Sequence, residues 1–211
     1  MIVKNNSIQI DKLELGPYGT NAYIVTCLNT CDSVLIDAPA EAGKIVEKLK
    51  DTSPRYILMT HNHMDHTGAL VDLCSELKVP LVAHALDARN LPVSPEMLLT
   101  DGDTVSFGDS RLDVIHTPGH TPGSICFKID QYLISGDTIF PGGPGRTKSP
   151  ADFQEIIKSI TEKLFLLSDD TEIYPGHGDS TVMKKVKEEY AVFSSRNRDQ
   201  DLCGDVLWLS A

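Results

Sequence analysis

Five of the seven histidines fall in three short stretches: THNHMDH at 60–66, TPGHTPGS at 117–124 and YPGHG at 174–178. A fourth stretch, SGDTIF at 135–140, adds Asp137. Imidazole mixed with carboxylate is a donor set for zinc, iron or manganese and is unlike the all-oxygen shell that calcium takes. His61 and His63 are two residues apart, so on an extended backbone both rings point to one side and can share an ion. Asp65 and His66 follow as the chain turns toward a helix, and they reach a neighbouring position. Four ligand-type side chains in six residues are more than a polar turn requires. The cluster alone leaves the number of ions open. Structural zinc sites are closed and cysteine-rich, whereas this set leaves coordination positions free, which favours catalysis over a non-catalytic zinc module. No GxSxG or comparable nucleophile motif competes with it.

These donors need rigid elements to hold them, and the chain supplies strands. SIQIDKLEL, NAYIVTCL and SVLIDA are short β-branched runs separated by Gly, Pro, Asn or Asp. Residues 40–50 turn helical, with Ile45, Val46 and Leu49 as the apolar face. RYILMT is an apolar strand leading into His61, and Leu70, Leu73, Cys74 and Leu77 then recur at helical spacing. VPLVAH is a further strand, followed by a short helical ALDARN. DTVSFG and RLDVIHT form a hairpin around Gly108-Asp109, and SICFKI with QYLISG forms another around Asp130. Ser149, Pro150 and Asp152 open the clearest helix as N-cap, first helical residue and first-turn charge. Phe153, Ile156, Ile157, Ile160 and Leu164 give it one buried face. TEIYPG reads as the last strand and STVMKKVKEEYAVF as the last helix. Each donor cluster therefore follows an apolar β-run, at the carboxyl end of a strand, where loops on a rigid scaffold can converge.

Composition narrows the function classes. A net charge of −11 repels polyanions, and an aromatic content of 6% offers no base-stacking platform, so nucleic acid is not an expected partner. No apolar run reaches the length of a membrane span, and the opening MIVKNNSIQI lacks a secretory pattern. Five cysteines at irregular spacing (27, 31, 74, 126 and 203) read as reduced thiols in a cytoplasm. The chain is expected to form one domain over residues 1–211, with 196–211 a tail. Its apolar VLWL is strand-like and must pack on the domain or on a second subunit, so a homo-oligomer is open.

The sequence resembles the metallo-β-lactamase superfamily. His61-Asn62-His63-Met64-Asp65-His66 fits its HxHxDH signature, His120, Asp137 and His177 follow in the expected order, and Asp37 in VLIDAP resembles an early structural Asp of the family. The resemblance implies an α/β fold, a four-layered αββα sandwich with the site at one edge of the two sheets. It implies that His61, His63 and His120 hold a first metal, that Asp65, His66 and His177 hold a second, and that Asp137 bridges them. The ions would be two divalent metals, zinc first, with iron or manganese as alternatives. A hydroxide bridging the pair would then be the nucleophile, oriented by Asp65 as the catalytic residue. GTNAYIV at 19–25 and GDTIFPGGPGRT at 136–147 resemble glyoxalase II-like hydrolases in particular. In the latter loop Arg146, and secondarily Lys148, is placed to bind a substrate carboxylate. The implied reaction is hydrolysis of a small ester-like bond, a thioester of a hydroxy acid above others, on a small-molecule substrate. The longer C-terminal helical region of full-length glyoxalase II has no counterpart here, which leaves the thiol open.

The runner-up within the scaffold is a persulfide dioxygenase with a single iron held by two His and one Asp. Nucleases on this fold need a basic surface that this chain lacks, and diiron flavoproteins carry an added flavin domain. His116 and His84 read as structural, and Tyr18 and Tyr23 as packing or substrate contacts.

Overall fold

Two sheets stack face to face, and each is covered on its outer side by helices, in a computed structural model that describes residues 1–196 and 201–210. The first sheet has seven strands in chain order: β1 (Val3–Lys4), β2 (Ile8–Leu15), β3 (Thr20–Cys27), β4 (Asp32–Ile36), β5 (Ser53–Leu58), β6 (Leu81–His84) and β7 (Met97–Leu99). It runs antiparallel through β4 and parallel from β4 to β7. The second sheet contains β8 (Thr104–Phe107), β9 (Ser110–His116), β10 (Ile125–Ile129), β11 (Tyr132–Gly136), β14 (Glu172–Pro175) and β15 (Thr181–Val182), in the order β15-β14-β11-β10-β9-β8. A small ribbon of β12 (Ile139–Phe140) and β13 (Gly143–Pro144) leaves β11 beside the site.

Alternation along the strands builds the layers, because successive side chains leave opposite faces of a sheet. Tyr23 and Val25 of β3 enter the core between the sheets, while Ala22 and Ile24 turn outward. That outer face packs under α1 (Ala42–Leu49) and α3 (Leu70–Leu77) through Ile45, Leu49, Leu70 and Leu73. In the second sheet Ile125, Phe127, Tyr132 and Ile134 fill the central core, and Cys126, Leu133 and Ile173 face outward. Against them lie α4 (Pro150–Glu162) and α5 (Met183–Ser194). Both faces of each central strand are thus apolar, as a sheet covered on two sides requires. At about 1.5–3 kcal/mol for each large aliphatic or aromatic side chain buried, three such layers fix the strand ends firmly enough to hold polar loops.

The hairpins form at the expected turns, with Phe107 opposite Ser110 and Ile129 opposite Tyr132. Asp130 takes the left-handed conformation there, which Asp tolerates better than most residues. Ser149 caps α4 by accepting from the Asp152 amide at 3.2 Å, and its own hydroxyl donates to the Asp152 carboxylate at 2.7 Å. Two expectations need correction. The last helix starts at Met183, because Thr181-Val182 instead pairs with β14 as an edge strand. VLWL is no strand: Val206–Leu209 is loop and turn, with Val206 and Trp208 buried and Leu207 and Leu209 exposed. Trp208 is fully buried against Tyr190 and Phe193 of α5, so the domain itself covers the buried half of this apolar segment. Of the expected tail, residues 197–200 and 211 lie outside the described residues. The five cysteines are free thiols. No described helix is long and apolar enough to cross a membrane.

Candidate metal centre

The carboxyl ends of β4, β5, β11 and β14, and the loop after β9, meet at one edge of the sandwich. β5 leads through Met59 and a bend at Thr60 to His61, and His63 is again extended (φ −67°, ψ 147°). It then closes into the short helix α2 (Met64–Thr67), which offsets Asp65 and His66 from the first two histidines. Asp137 follows β11, His177 follows β14 by one glycine, and His120 lies in the turn between β9 and β10. The structure brings all seven expected residues together. Their donor atoms form three overlapping trios, His61/His63/His120, His61/His66/Asp137 and Asp65/His66/His177, each within 4.8 Å.

Asp137 stands between the two outer trios. One carboxylate oxygen is 3.3 Å from His66 Nε2, and the other is 3.5 Å from His120 Nε2 and 3.7 Å from His177 Nε2. Asp65 is 3.1 Å from His177 Nε2 and 3.7 Å from His66 Nε2. Nitrogens about 2.0–2.1 Å from one tetrahedral ion stand about 3.4 Å apart, so these spacings suit donors that share ions. The buried Nε2 atoms of His61, His66 and His120, and Oδ1 of Asp137, have no hydrogen-bond partner among the described residues. Buried polar atoms are ordinarily satisfied, and four orphans converging on one point fit metal ions.

The rings are aimed from behind. His66 Nδ1 contacts Asp37 at 2.8 Å, and the Asp37 carboxylate also accepts from the Thr60 amide (2.8 Å) and hydroxyl (2.7 Å). His61 Nδ1 meets Thr60 Oγ1 at 3.0 Å, His120 Nδ1 the Arg146 carbonyl at 2.8 Å, and His177 Nδ1 the Tyr18 carbonyl at 3.2 Å. Holding Nδ1 in this way leaves Nε2 as the donor. Glycine makes room for the cluster: a Cβ on Gly176 would stand 2.1 Å from Asp137 Oδ1, and one on Gly145 1.8 Å from the Asp137 carbonyl. Without metal, burial drives His61 well below its ordinary pKa, and the neighbouring imidazoles add to this. Burial acts the same way on His66, but Asp37 and Asp137 outweigh it and push that ring up to about 10. The hydrogen bond to His177 brings Asp65 down to about 2 against its own burial.

Three residues with large structural roles were not among the expected site residues. Asp87, after β6, is buried and accepts from the Asn62 amide (3.1 Å), the Thr121 hydroxyl (2.7 Å) and the Gly123 amide (2.8 Å). It fastens the loop of His61 and His63 to the loop of His120. Its signal was available, since it too lies just beyond the carboxyl end of an apolar strand. Asn21 donates from its side chain to the Pro175 and Gly178 carbonyls, and its amide donates to Gly176 at 2.7 Å, clamping the His177 loop onto β3. Gly176 carries no sequence cue beyond its place in YPGHG. Tyr23 donates to the Pro175 carbonyl at 2.7 Å, a positioning contact and not a substrate one. His84 and His116 stack on each other with ring centres 4.0 Å apart and join none of the trios. Arg146 lines a cavity of about 310 Å³ that opens onto His120, Asp137 and His177.

A profile of the metallo-beta-lactamase superfamily matches residues 15–177. The chain belongs to that superfamily. A hydroxyacylglutathione hydrolase of Haemophilus influenzae is 28% identical over 189 residues, covering 79% of this chain and 89% of the relative. A solved structure described as TTHA1623 in a di-iron-bound form is 32% identical with a TM-score of 0.74, covering 84% of this chain and 96% of that one. ETHE1 from Myxococcus xanthus is 25% identical with a TM-score of 0.80, covering 91% and 87%. The fold expectation therefore holds, and the superfamily's divalent-metal chemistry agrees with the clusters at the strand ends.

Proposed function

We propose that this superfamily hydrolase cleaves a small thioester of a hydroxy acid, with two divalent metals, zinc first, shared by His61, His63 and His120 on one side and Asp65, His66 and His177 on the other, and with Asp137 between them. The observation that carries this reading is the set of four buried, unpartnered donor atoms, one on Asp137 and three on the histidines beside it, next to an open cavity that His120 and Asp137 line. A divalent pair bound there supplies acidified water and a positive charge facing the oxygen that becomes negative as a carbonyl is attacked.

The chain's own residues do the rest. Asp65, ionised beside His177, accepts a hydrogen bond from the attacking water and fixes its direction. Phe140, Pro141 and Pro144 line the cavity, giving the acyl group an apolar seat that displaces bulk water. Arg146 at the edge takes a carboxylate of the substrate through its planar fork. A thiol has a pKa of about 8.5, so it leaves as thiolate with little help from an acid. This distinguishes a thioester from an amide-like bond, whose nitrogen must be protonated to depart. Support comes from the hydroxyacylglutathione hydrolase relative and from the neighbour solved with two irons.

The test is a panel of thioester, lactone, β-lactam and persulfide substrates offered to the metal-loaded protein, with metal content measured by elemental analysis. Two metals per chain and a selective thioesterase activity are expected. A double variant, His61→Ala with Asp137→Ala, serves as the blank. One iron per chain with oxygen uptake on persulfide would replace this reading with a dioxygenase, and thioester rates equal to the blank would end it.

A further inference from the structure

The cavity has a second charge on its lip. Its outer wall is Asp205, Val206 and Leu207, and that wall is fixed in place from both ends. Thr147 and Gly204 exchange two backbone hydrogen bonds (3.0 and 3.2 Å), and the Trp208 amide donates to the Gly142 carbonyl at 2.8 Å. From the other side, the carboxylate of Glu189 on α5 accepts from the Gly142 amide at 2.9 Å. A Cβ on Gly143 would stand 2.4 Å from the Val206 carbonyl, so the glycine-rich loop and the wall lie in direct contact. Asp205, Val206 and Leu207 consequently have settled places in the lining.

Most of the lining above the metal donors is apolar: Phe140, Pro141, Pro144, Val206 and Leu207. Arg146 and Asp205 are the charges at its edge, with Arg146 Nη1 3.8 Å from Asp205 Oδ2. Their side chains are 73% and 77% exposed, and an ion pair that open and that long contributes little on its own. Both charges remain available to a ligand, and they stand close enough together for the carboxylate and ammonium on one α-carbon to reach one each. We infer that Arg146 and Asp205 form a bipolar subsite for the carboxylate and ammonium of an amino-acid-like end of the substrate. This inference rests on the reading of the cavity as the substrate site.

The charges decide between ligand classes. A ligand with only a carboxylate must share Arg146 with Asp205 and brings a like charge beside Asp205. A zwitterionic end gives Asp205 a counter-charge and leaves nothing unpaired. In so exposed a place the difference is a several-fold one, and salt screens it. Asp205 also disfavours a plain dicarboxylate, so the wall selects against ligands as well as for them.

Binding of two non-hydrolysable thioethers, an S-alkylcysteine and its N-acetyl derivative, to the metal-loaded full chain tests this. Calorimetry and the fluorescence of the sole tryptophan, Trp208, next to Leu207, provide readouts independent of turnover. The free amino acid should bind several-fold tighter than the N-acetyl form at low salt, and the preference should shrink in 0.5 M salt. Asp205→Asn should abolish the preference, and Arg146→Gln should weaken both ligands. Equal affinities in the wild type, absence of binding by either ligand, or a preference that survives Asp205→Asn would overturn the subsite. A separate thioester assay keeps the two readings apart. Intact preference without hydrolysis sinks the reaction alone, and hydrolysis without preference sinks the subsite alone.

Discussion

The floor of the cavity and its rim are built on opposite principles. On the floor, His61 and His66 are buried, Asp37 takes three hydrogen bonds, and every ring nitrogen that points away from the centre at His61, His66, His120 and His177 has a partner. On the rim, Arg146 and Asp205 are solvated and only loosely paired. Buried groups make large, discrete contributions because an unmet polar atom there has no water to turn to, whereas exposed charges are screened and contribute by increments. A fold that needs a fixed centre and an adaptable mouth can therefore bury the donors at one edge of its sheets and leave the adjoining loop wet.

Substitution of the two glycines around His177 puts that contrast under the greatest strain. Gly176→Ala places a Cβ where Asp137 Oδ1 and His66 now lie, whereas around Gly178 a Cβ would meet nothing within 4 Å. Gly178 has φ +67°, so Gly178→Ala costs about 1–2 kcal/mol of backbone strain. Gly176→Ala is expected to reduce metal content below one ion per chain while the fold survives, and Gly178→Ala to keep its full complement with a modestly lower Tm. Equal metal loss in both would mean that the loop, and not the close approach, controls the centre.

Next in size is the support behind His66. Asn at position 37 keeps the side-chain size and tolerates the left-handed backbone there (φ 63°), but removes the charge. Asp37→Asn should weaken metal binding about 10–100-fold, a common cost of losing an outer-shell partner. It should also lower the stability of the apo protein by about 3 kcal/mol, because it strips one carboxylate from a buried charge pair. Competition with a chromophoric chelator and denaturant unfolding measure the two effects. Unchanged affinity would show that His66 is oriented by packing alone.

How far the sequence discloses this centre follows the same division. The seven donors are legible because ligand chemistry restricts which residues can serve, and their spacing marks the strand ends that carry them. The layers are legible in part: alternation in NAYIVTCL and SICFKI predicts buried strands, but which sheet each joins depends on long-range pairing. Thus β4 pairs with β5, and β11 with β14, across long intervening segments. Thr181-Val182 looks like the start of a helix because two residues carry too short a pattern to show that they pair back onto the strand TEIYPG just before them. VLWL has the composition of a strand, yet the surface Trp208 fills is made by α5. The place of Asp87 after an apolar strand is legible, but its clamping role is not, since its three donors come from residues 62, 121 and 123.

Asp87 also allows the floor to be divided into its halves. Asp87→Ala leaves the Asn62 and Gly123 amides without an acceptor, while the Thr121 hydroxyl keeps Ser124 Oγ at 2.7 Å, at about 1–3 kcal/mol for each amide that water fails to reach. The loops it joins carry His61, His63 and His120, while Asp65, His66 and His177 are held by Asp37 and by the Asn21 clamp. Cobalt titration followed by absorption should show one site weakened about tenfold and the other nearly unchanged. Parallel loss at both sites would mean that the two halves are one mechanical unit, coupled through Asp137.

The smallest effect expected on the floor comes from the residue that belongs to both regions. The Arg146 carbonyl holds His120 Nδ1 at 2.8 Å, while its guanidinium reaches out to the rim. The first contact is made by the main chain and survives any side chain that keeps the loop in place, and Thr147 pins that loop to Gly204 with two backbone hydrogen bonds. Arg146→Gln should therefore leave metal affinity within about twofold of the wild type, since surface substitutions usually act within 0.5 kcal/mol. The same variant should raise KM several-fold for a carboxylate-bearing thioester and leave KM for a neutral one unchanged. A loss of metal affinity on this substitution would show that the rim charge is felt at the floor, and the separation of a buried centre from a wet mouth would have to be abandoned.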